Sequence, residues 1–385
     1  DQCDFRQALS WRDRFNAHST RKDRHFLLED FATPKALLVA IQSYLRLYAR
    51  GLRMKPVRDK FVLPGSTLNF YPLFEREWNS SLFGPAAVDG QLYRALFDSM
   101  VHRLPAQRWC LYIWENQPWE AALLTAWRRY QKGSVIGYQH ATVMPLELRA
   151  ICDPRAYREK GRAARPLPDV LAINGRGALE LFREVQYPED RLAVVEALRY
   201  PRLSRRTSRE HGDPGTLLVV AGYLESEARL LIRVLNEAAD AIQSAGYVKI
   251  RIKAHAFGPA TMRSRHLPLK LAYDVVSEPL EGLWHHADFA LIANSTSAAV
   301  EAVLTGVPLA ICASADNVNL SPLYGHPGVP FVCSGRELAA VLAAARCALL
   351  PADYFLISER PTRWKELLST STDHTAPVAG RGLPA

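Results

Sequence analysis

No stretch of this 385-residue chain approaches the roughly 18 uninterrupted apolar residues that a membrane-spanning helix needs. Its first residues, Asp1 to Asp13, lack the apolar core of a secretory signal peptide. The six cysteines (Cys3, Cys110, Cys152, Cys312, Cys333 and Cys347) form no CxxC pair and no Cys/His cluster at zinc-ligand spacing. That argues against a disulfide scaffold or a structural zinc and for reduced thiols in a cytoplasm. No Asp-x-Asp motif is present, so the sequence predicts no bound metal. The arginines are dispersed and no nucleic-acid-binding motif accompanies them, so nucleic acid is not an expected partner. No internal repeat is visible.

What is there is a globular composition, 48% hydrophobic and 23% charged, on a chain long enough for two cores. Net charge is +9, which fits either plain solubility or attraction to anions: a nucleotide, acidic lipid headgroups or a phosphorylated acceptor. The first half is poor in strands for a complete nucleotide-binding-type domain, which leaves open whether the sequence is a fragment of a longer protein.

The pattern predicts an α/β protein. Residues 1–70 are polar and Arg-rich, with Lys35 to Leu52 their clearest helix. A helix over Gln91 to Val101 precedes a strand at Trp109 to Trp114, a helix at Pro118 to Tyr130 and strands at Val135 to Tyr138 and Asp169 to Ile173. A helix from Ala178 to Val185 and a short strand at Ala193 to Glu196 complete this rhythm, which argues for a parallel sheet. Arg199 to Gly215, rich in Arg, Ser, Pro and Gly, reads as a linker. Beyond it, strands at Thr216 to Ala221, Val248 to Lys253, Asp274 to Val276, Asp288 to Ala293, Leu309 to Cys312 and Pro330 to Val332 are expected. Helices are predicted at Glu225 to Ala245, Leu280 to His286, Ala298 to Thr305 and Gly335 to Leu349. The domains are therefore expected to be 1–205, a Rossmann-like acceptor-side domain, and 206–350, a doubly wound nucleotide-binding one. Residues 351–385 would be a returning helix, packed on the first domain, and a disordered tail.

Two Rossmann-like units make a cleft faced by the carboxyl ends of both sheets, so residues just past each strand are the candidates. Asn294, Ser295, Thr296 and Ser297 end one strand and open a helix. Free N–H groups and the helix dipole make such a turn an anion site, and three hydroxyls exceed what an N-cap requires. Lys253 and His255 end another strand, where an ammonium and an imidazole can donate to a phosphate oxygen or simply lie exposed. Glu301, one turn into the helix after Ser297, either accepts from a ribose hydroxyl or is a solvated carboxylate. In the first half, Glu115-Asn116-Gln117-Pro118-Trp119-Glu120 crowds a carboxylate and two amides at a strand end. Glu115 is the candidate general base, with Trp119 in the core. Glu120 is an alternative base or a helix-start carboxylate. His140 is a base, an acceptor contact or a loop histidine. Glu225 and Glu227 follow the first strand of the second domain, where most carboxylates only offset the helix dipole.

A histidine motif after one strand and a Ser/Thr motif at a later helix start resemble the pair found in GT-B glycosyltransferases that use CMP-activated acidic sugars. Glu115 to Glu120, Gly137-Tyr138-Gln139-His140-Ala141-Thr142-Val143, Asn294 to Val300 and Asn319-Leu320-Ser321-Pro322-Leu323 more closely resemble bacterial surface carbohydrate biosynthesis proteins of O-antigen clusters. This resemblance spans roughly residues 70 to 345. It implies a GT-B fold, two Rossmann-like doubly wound domains facing a cleft. His255 and the hydroxyls at 295–297 would hold a CMP phosphate, and a first-domain carboxylate, Glu115, would activate the acceptor hydroxyl. Glu225 stands where some retaining relatives carry a nucleophile. The usual Lys-Pro-His-Pro is here Lys253-Ala254-His255-Ala256, which removes two φ constraints from the loop.

The expectation is a metal-independent glycosyltransferase of lipopolysaccharide or capsule synthesis, without a cofactor beyond its nucleotide-sugar donor. The donor would be a CMP-linked 3-deoxy-2-ulosonic acid (Kdo or a nonulosonic acid) and the acceptor a glycan or lipid-linked glycan. A cytoplasmic location with peripheral contact at the anionic inner face of the membrane goes with it. The alternatives are a UDP- or GDP-sugar donor, or a non-catalytic binding subunit of a polysaccharide assembly complex.

Overall fold

The computed structural model describes residues 5–18, 23–54, 57–130, 132–150, 152–158, 165–200, 215–264, 266–344 and 347–370. The chain begins with helices: α1 (Phe5–His18), α2 (Pro34–Arg53), α3 (Tyr71–Phe83) and α4 (Pro85–Arg103). Thr33 caps α2 by accepting the Ala36 N–H at 3.1 Å, and Pro34 sits in the first turn, where a missing N–H costs nothing. There follow β1 (Trp109–Ile113), α5 (Pro118–Tyr130), β2 (Ser134–Gln139), α6 (Arg155–Arg158), β3 (Val170–Ile173), α7 (Arg176–Glu184) and β4 (Leu192–Val194). These strands form a sheet in the order β1-β2-β3-β4, with β3 and β4 parallel. That order follows the sequence without reversal.

The next stretch holds β5 (Gly215–Val220), α8 (Glu225–Glu237), α9 (Ala239–Ser244), β6 (Tyr247–Lys253), β7 (Tyr273–Val276), α10 (Leu280–Leu283) and β8 (Phe289–Ala293). It continues with α11 (Ala298–Thr305), β9 (Leu309–Cys312), β10 (Phe331–Val332) and α12 (Gly335–Ala344). A six-stranded sheet runs β10-β9-β8-β5-β6-β7, and each pairing along it is parallel. Both faces are covered, so its central strands need no alternation: every residue of β8 and β9 is buried. One face packs on Leu231, Val234, Leu235, Ile242 and Leu338, the other on Val300, Val303, Trp284 and Phe355. The chain leaves β5 toward β6 and later returns on the other side of β5 as β8. The topological switch point, where ligands of open α/β sheets bind, therefore lies between the carboxyl ends of β5 and β8.

Several details differ from the sequence reading; among them, α12 is described to Ala344, and residues 347–349 of the helix expected to reach Leu349 are not helical. The helix expected from Glu225 to Ala245 is broken at Ala238 (φ −93°, ψ 8°) into α8 and α9. Here the start of α12 presses in, and the Gly335 N–H donates to the Glu237 carboxylate at 2.8 Å. The expected helix at Leu280 to His286 is a single α-turn followed by a 3-10 turn. After α12 the chain returns as α13 (Thr362–Thr370). Glu196, just past β4, caps it: its carboxylate accepts the N–H groups of Arg363 at 2.8 Å and Trp364 at 3.1 Å, and the Trp364 indole donates to the Glu196 carbonyl at 2.9 Å. Tyr138 of β2 meets the Trp364 ring edge-on at 4.8 Å.

The strands group on either side of the expected 205/206 boundary. Contact density divides the chain elsewhere, into Asp1–Ile136 with Arg165–Asp169 and Gly137–Ala164 with Val170–Thr370. Residues 201–214 of the expected linker and 371–385 of the expected tail lie outside the described residues. Among the described residues no helix is long and apolar enough to cross a membrane.

Candidate functional site

Register brings the candidates of the six-stranded sheet to one edge. Val220 of β5 is level with Lys253 of β6 and with Ile292 of β8. Residues past these three strand ends therefore stand side by side, with β6 and β8 about 10 Å apart across β5. Gly222, just past β5, lies between the other two loops. A Cβ there would sit 2.1 Å from Glu227 Oε2 and 2.9 Å from Ser295 Oγ, and the Gly222 carbonyl lies 2.8 Å from where a Cβ of Gly258 would be. Glycine at 222 and 258 is what allows the His255 loop and the Ser295 turn to converge.

At the switch point the structure corrects the reading of Ser295. Its N–H donates to Glu227 Oε1 at 2.9 Å and its hydroxyl to Glu227 Oε2 at 2.6 Å, both buried. Glu227, in the first turn of α8, thus fills the place assigned to a phosphate at Ser295, and burial raises its pKa. The Thr296 hydroxyl is also engaged, as an acceptor of the Ala298 N–H at 3.3 Å. Tyr200 stacks on Phe355 with ring centres 4.3 Å apart and meets Thr142 Oγ1 at 3.4 Å. The Ser295 and Thr296 hydroxyls thus help shape the turn.

Polar atoms of the turn remain without a protein partner among the described residues. The Ser297 N–H, at the start of α11, faces no acceptor among the described residues. Asn294 is buried; its Nδ2 donates to the Val318 carbonyl at 3.2 Å, but its Oδ1 is buried without a partner. A buried acceptor without a partner is costly, and it lies in the same turn as an N–H without an acceptor.

His255 stands at the neighbouring loop between the rings of Tyr223 and Phe257, each with centres 6.2 Å away. Burial lowers its pKa, so the neutral ring is favoured. Its Nδ1 accepts the Phe257 N–H at 3.2 Å, which places the proton of the neutral ring on Nε2, the atom left to donate. The loop is also held without the two prolines: the Gly258 N–H donates to the His255 carbonyl at 3.0 Å and Arg263 to the Ala256 carbonyl at 3.0 Å. Lys253 is neither a plain phosphate ligand nor a free cation. Its ammonium donates to the carbonyls of Ser277 at 3.0 Å and Glu278 at 2.7 Å, tying the end of β6 to the end of β7.

Glu301 accepts the Trp284 indole N–H at 3.2 Å, and burial raises its pKa, so it is not a solvated carboxylate. Glu225 is a surface residue paired with Arg229 at 3.7 Å. Of the two acids in that helical turn, Glu227 is the inward one. The sequence carries the signal: Glu227 lies four residues before Leu231 and seven before Val234, on the buried stripe. Tyr200 had no such signal, because it falls in the stretch read as linker.

At the end of β1, Glu120 is the buried acid. Its Oε1 accepts the N–H groups of Glu115 and Gln117, each at 2.8 Å, so it pins the turn, and burial raises its pKa. Asn116 of that turn takes a positive φ of 59° and bonds Arg165. Glu115 is exposed. Trp119 packs on Phe97 and Tyr112, as expected of a structural residue. His140, past β2, has its ring 6.3 Å from that of Tyr138, and its carbonyl accepts from Asn174 at 3.2 Å. The buried Gln139 leaves its Oε1 without a partner.

No family model matches the sequence, and no curated protein matches it. Among solved structures the chain is similar to the GtfA/B complex at 14% identity and a TM-score of 0.45, over 74% of this chain and 60% of that one. It is also similar to CalG4, the calicheamicin glycosyltransferase, at 15% identity and a TM-score of 0.46, over 80% of this chain and 90% of that one. A UDP-GlcNAc 2-epimerase of Methanocaldococcus jannaschii matches at 11% identity and a TM-score of 0.46, over 74% and 82%. The chain thus spans 60% of the length of the first of these. Likeness at this level carries no argument about activity, and the second and third names state different chemistries.

Proposed function

We propose that this chain is a GT-B-type glycosyltransferase that moves a sugar from a nucleotide-activated donor to a glycan or lipid-linked acceptor in bacterial surface polysaccharide synthesis. The observation that carries the reading is the switch-point turn, where the unmet Ser297 N–H and the unmet buried Asn294 Oδ1 lie on the strand order that binds ligands. In transfer, the acceptor oxygen bonds to the anomeric carbon while the bond from that carbon to the phosphate oxygen breaks. The electron pair leaves with the phosphate. The Ser297 N–H, the positive end of α11 and the His255 Nε2–H are the groups that stabilise that charge without rearranging. Asn294 Oδ1 and Glu301 accept from donor hydroxyls or base. Glu115 takes the acceptor proton in an inverting reaction; a retaining one would turn on Glu225. His140 contacts the acceptor.

The proposed donor is a CMP-linked 3-deoxy-2-ulosonic acid, such as Kdo. With the Ser295 hydroxyl and the Lys253 ammonium donating to protein groups, fewer donors remain for a ligand, which suits one phosphate better than two. The second reading is a UDP-sugar donor, favoured by the departure at Lys253-Ala254-His255-Ala256 from the motif of CMP-sugar enzymes. Isothermal titration with CMP, UDP and GDP separates them: CMP binding tightest supports the first, UDP alone binding supports the second. Turnover of CMP-Kdo that falls in both Glu115→Gln and His255→Ala supports catalysis at these residues. Turnover unchanged in both would reject the assignment. The proposed setting is the cytoplasmic face of the inner membrane.

A further inference from the structure

Helix α2 is the largest feature that the proposed transfer chemistry does not use. Its buried side is narrow: Ala36, Ala40 and Gly51 face inward. Yet Leu37, Leu38, Ile41, Leu45, Tyr48 and Leu52 are between 40% and 68% exposed. On a wheel of about 100° per residue these six fall, in the order 37, 48, 41, 52, 45, 38, within one arc of roughly 100°. Lys35, Arg53, Arg46 and Arg50 follow in a second arc of roughly 60°, which begins roughly 60° farther round. The helix has no acidic residue among its 20. The exposed arc is therefore not the core side of the helix but a second apolar face with a basic border.

An exposed apolar stripe this long is rare on a soluble surface without a partner. The phase of the charges selects among partners. A stripe with four cations beyond one edge, on a helix without a single carboxylate, matches a surface that is apolar inside and anionic at its rim. A second copy of the same helix would bring like charges together instead. We propose that α2 is an in-plane docking helix for an anionic lipid bilayer. Its Leu37–Leu52 arc enters the headgroup boundary, and Lys35, Arg46, Arg50 and Arg53 meet lipid phosphates. The inference stands apart from the nucleotide site, because it uses neither the six-stranded sheet nor turnover.

The test is co-flotation of the full chain with vesicles of phosphatidylcholine alone or mixed with phosphatidylglycerol. The expected result is recovery with the mixed vesicles, weak recovery with phosphatidylcholine alone, and release as salt is raised. Ile41→Ser/Leu45→Ser should lower partitioning at least tenfold. Arg46→Gln/Arg50→Gln should remove the preference for the anionic lipid. All four positions are exposed, so both variants should keep the wild-type thermal melt. Absence of wild-type flotation would overturn the proposal, as would undiminished flotation of both variants. So would a wild-type dimer, seen by light scattering, that Ile41→Ser/Leu45→Ser converts to monomer, since a second copy would then own the face.

Discussion

Glu227 is the residue whose replacement the account predicts in most detail. Its two oxygens accept the N–H and the hydroxyl of Ser295 at 2.9 and 2.6 Å in a buried site. Glu227→Ala leaves two buried donors without an acceptor, at about 1–3 kcal/mol each. The raised pKa shows that the charged form is already held at a desolvation cost, so the net loss falls toward the lower end, about 2–4 kcal/mol. For a cooperative unit of this size that is a fall in melting temperature of roughly 5–15 °C. Calorimetry and urea titration measure it. The pH dependence has a definite sign. A carboxyl whose folded pKa is raised binds its proton more tightly in the folded state, so its contribution falls as pH climbs from the ordinary value of 4.5 through the raised one. The gap between wild type and variant should therefore narrow across that window. Folded Glu227→Ala should bind CMP at least as tightly as wild type, because a negative charge worth about 0.3–1 kcal/mol leaves the helix start. A melt shifted by less than about 1 °C, or CMP binding abolished in the folded variant, would refute the reasoning.

Gly222→Ala should act through the same pair: its Cβ would lie 2.1 Å from Glu227 Oε2, and displacing that carboxylate should cost about 1–3 kcal/mol in urea titration. His255→Ala should weaken CMP binding about tenfold, one charge-assisted hydrogen bond, while His255→Gln, which keeps a donor near the Nε2 position, should recover part of it by calorimetric titration. Because burial lowers the His255 pKa in the folded state, its contribution to stability is present above the ordinary 6.5 and is lost as pH falls from there through the lowered value. Melts of wild type and His255→Gln across that range should converge in the acid limb of their difference curve. Glu196→Ala should free two N–H groups at the start of α13, costing about 2–4 kcal/mol, and should speed amide exchange in Thr362–Thr370 before any other helix.

Local signals were the legible part. The helix read at Pro118 to Tyr130 is α5 with the same bounds, and the apolar run before Asn294 marked β8 and the start of α11 at Ala298. Register then did what no single residue announces, bringing the ends of β5, β6 and β8 to one edge. What stayed hidden was tertiary. The break at Ala238 arises where α12 arrives from a hundred residues away. The Ser295 hydroxyl read as an open donor because its partner, Glu227, is distant in sequence. Glu120 and Glu227 had a readable signal in the i, i+4, i+7 stripe, which marks an acid as inward before its partner is known. Glu225, two residues away and off that stripe, is exposed for the same reason.

The most direct measurement is the position of a bound CMP phosphorus in a crystal of this protein. The account predicts density with a phosphate oxygen within hydrogen-bond reach of the Ser297 N–H and the His255 Nε2, and a donor group of the nucleotide against Asn294 Oδ1. A phosphate bound away from the start of α11, or a turn that stays empty at saturating CMP while UDP binds elsewhere, would contradict it.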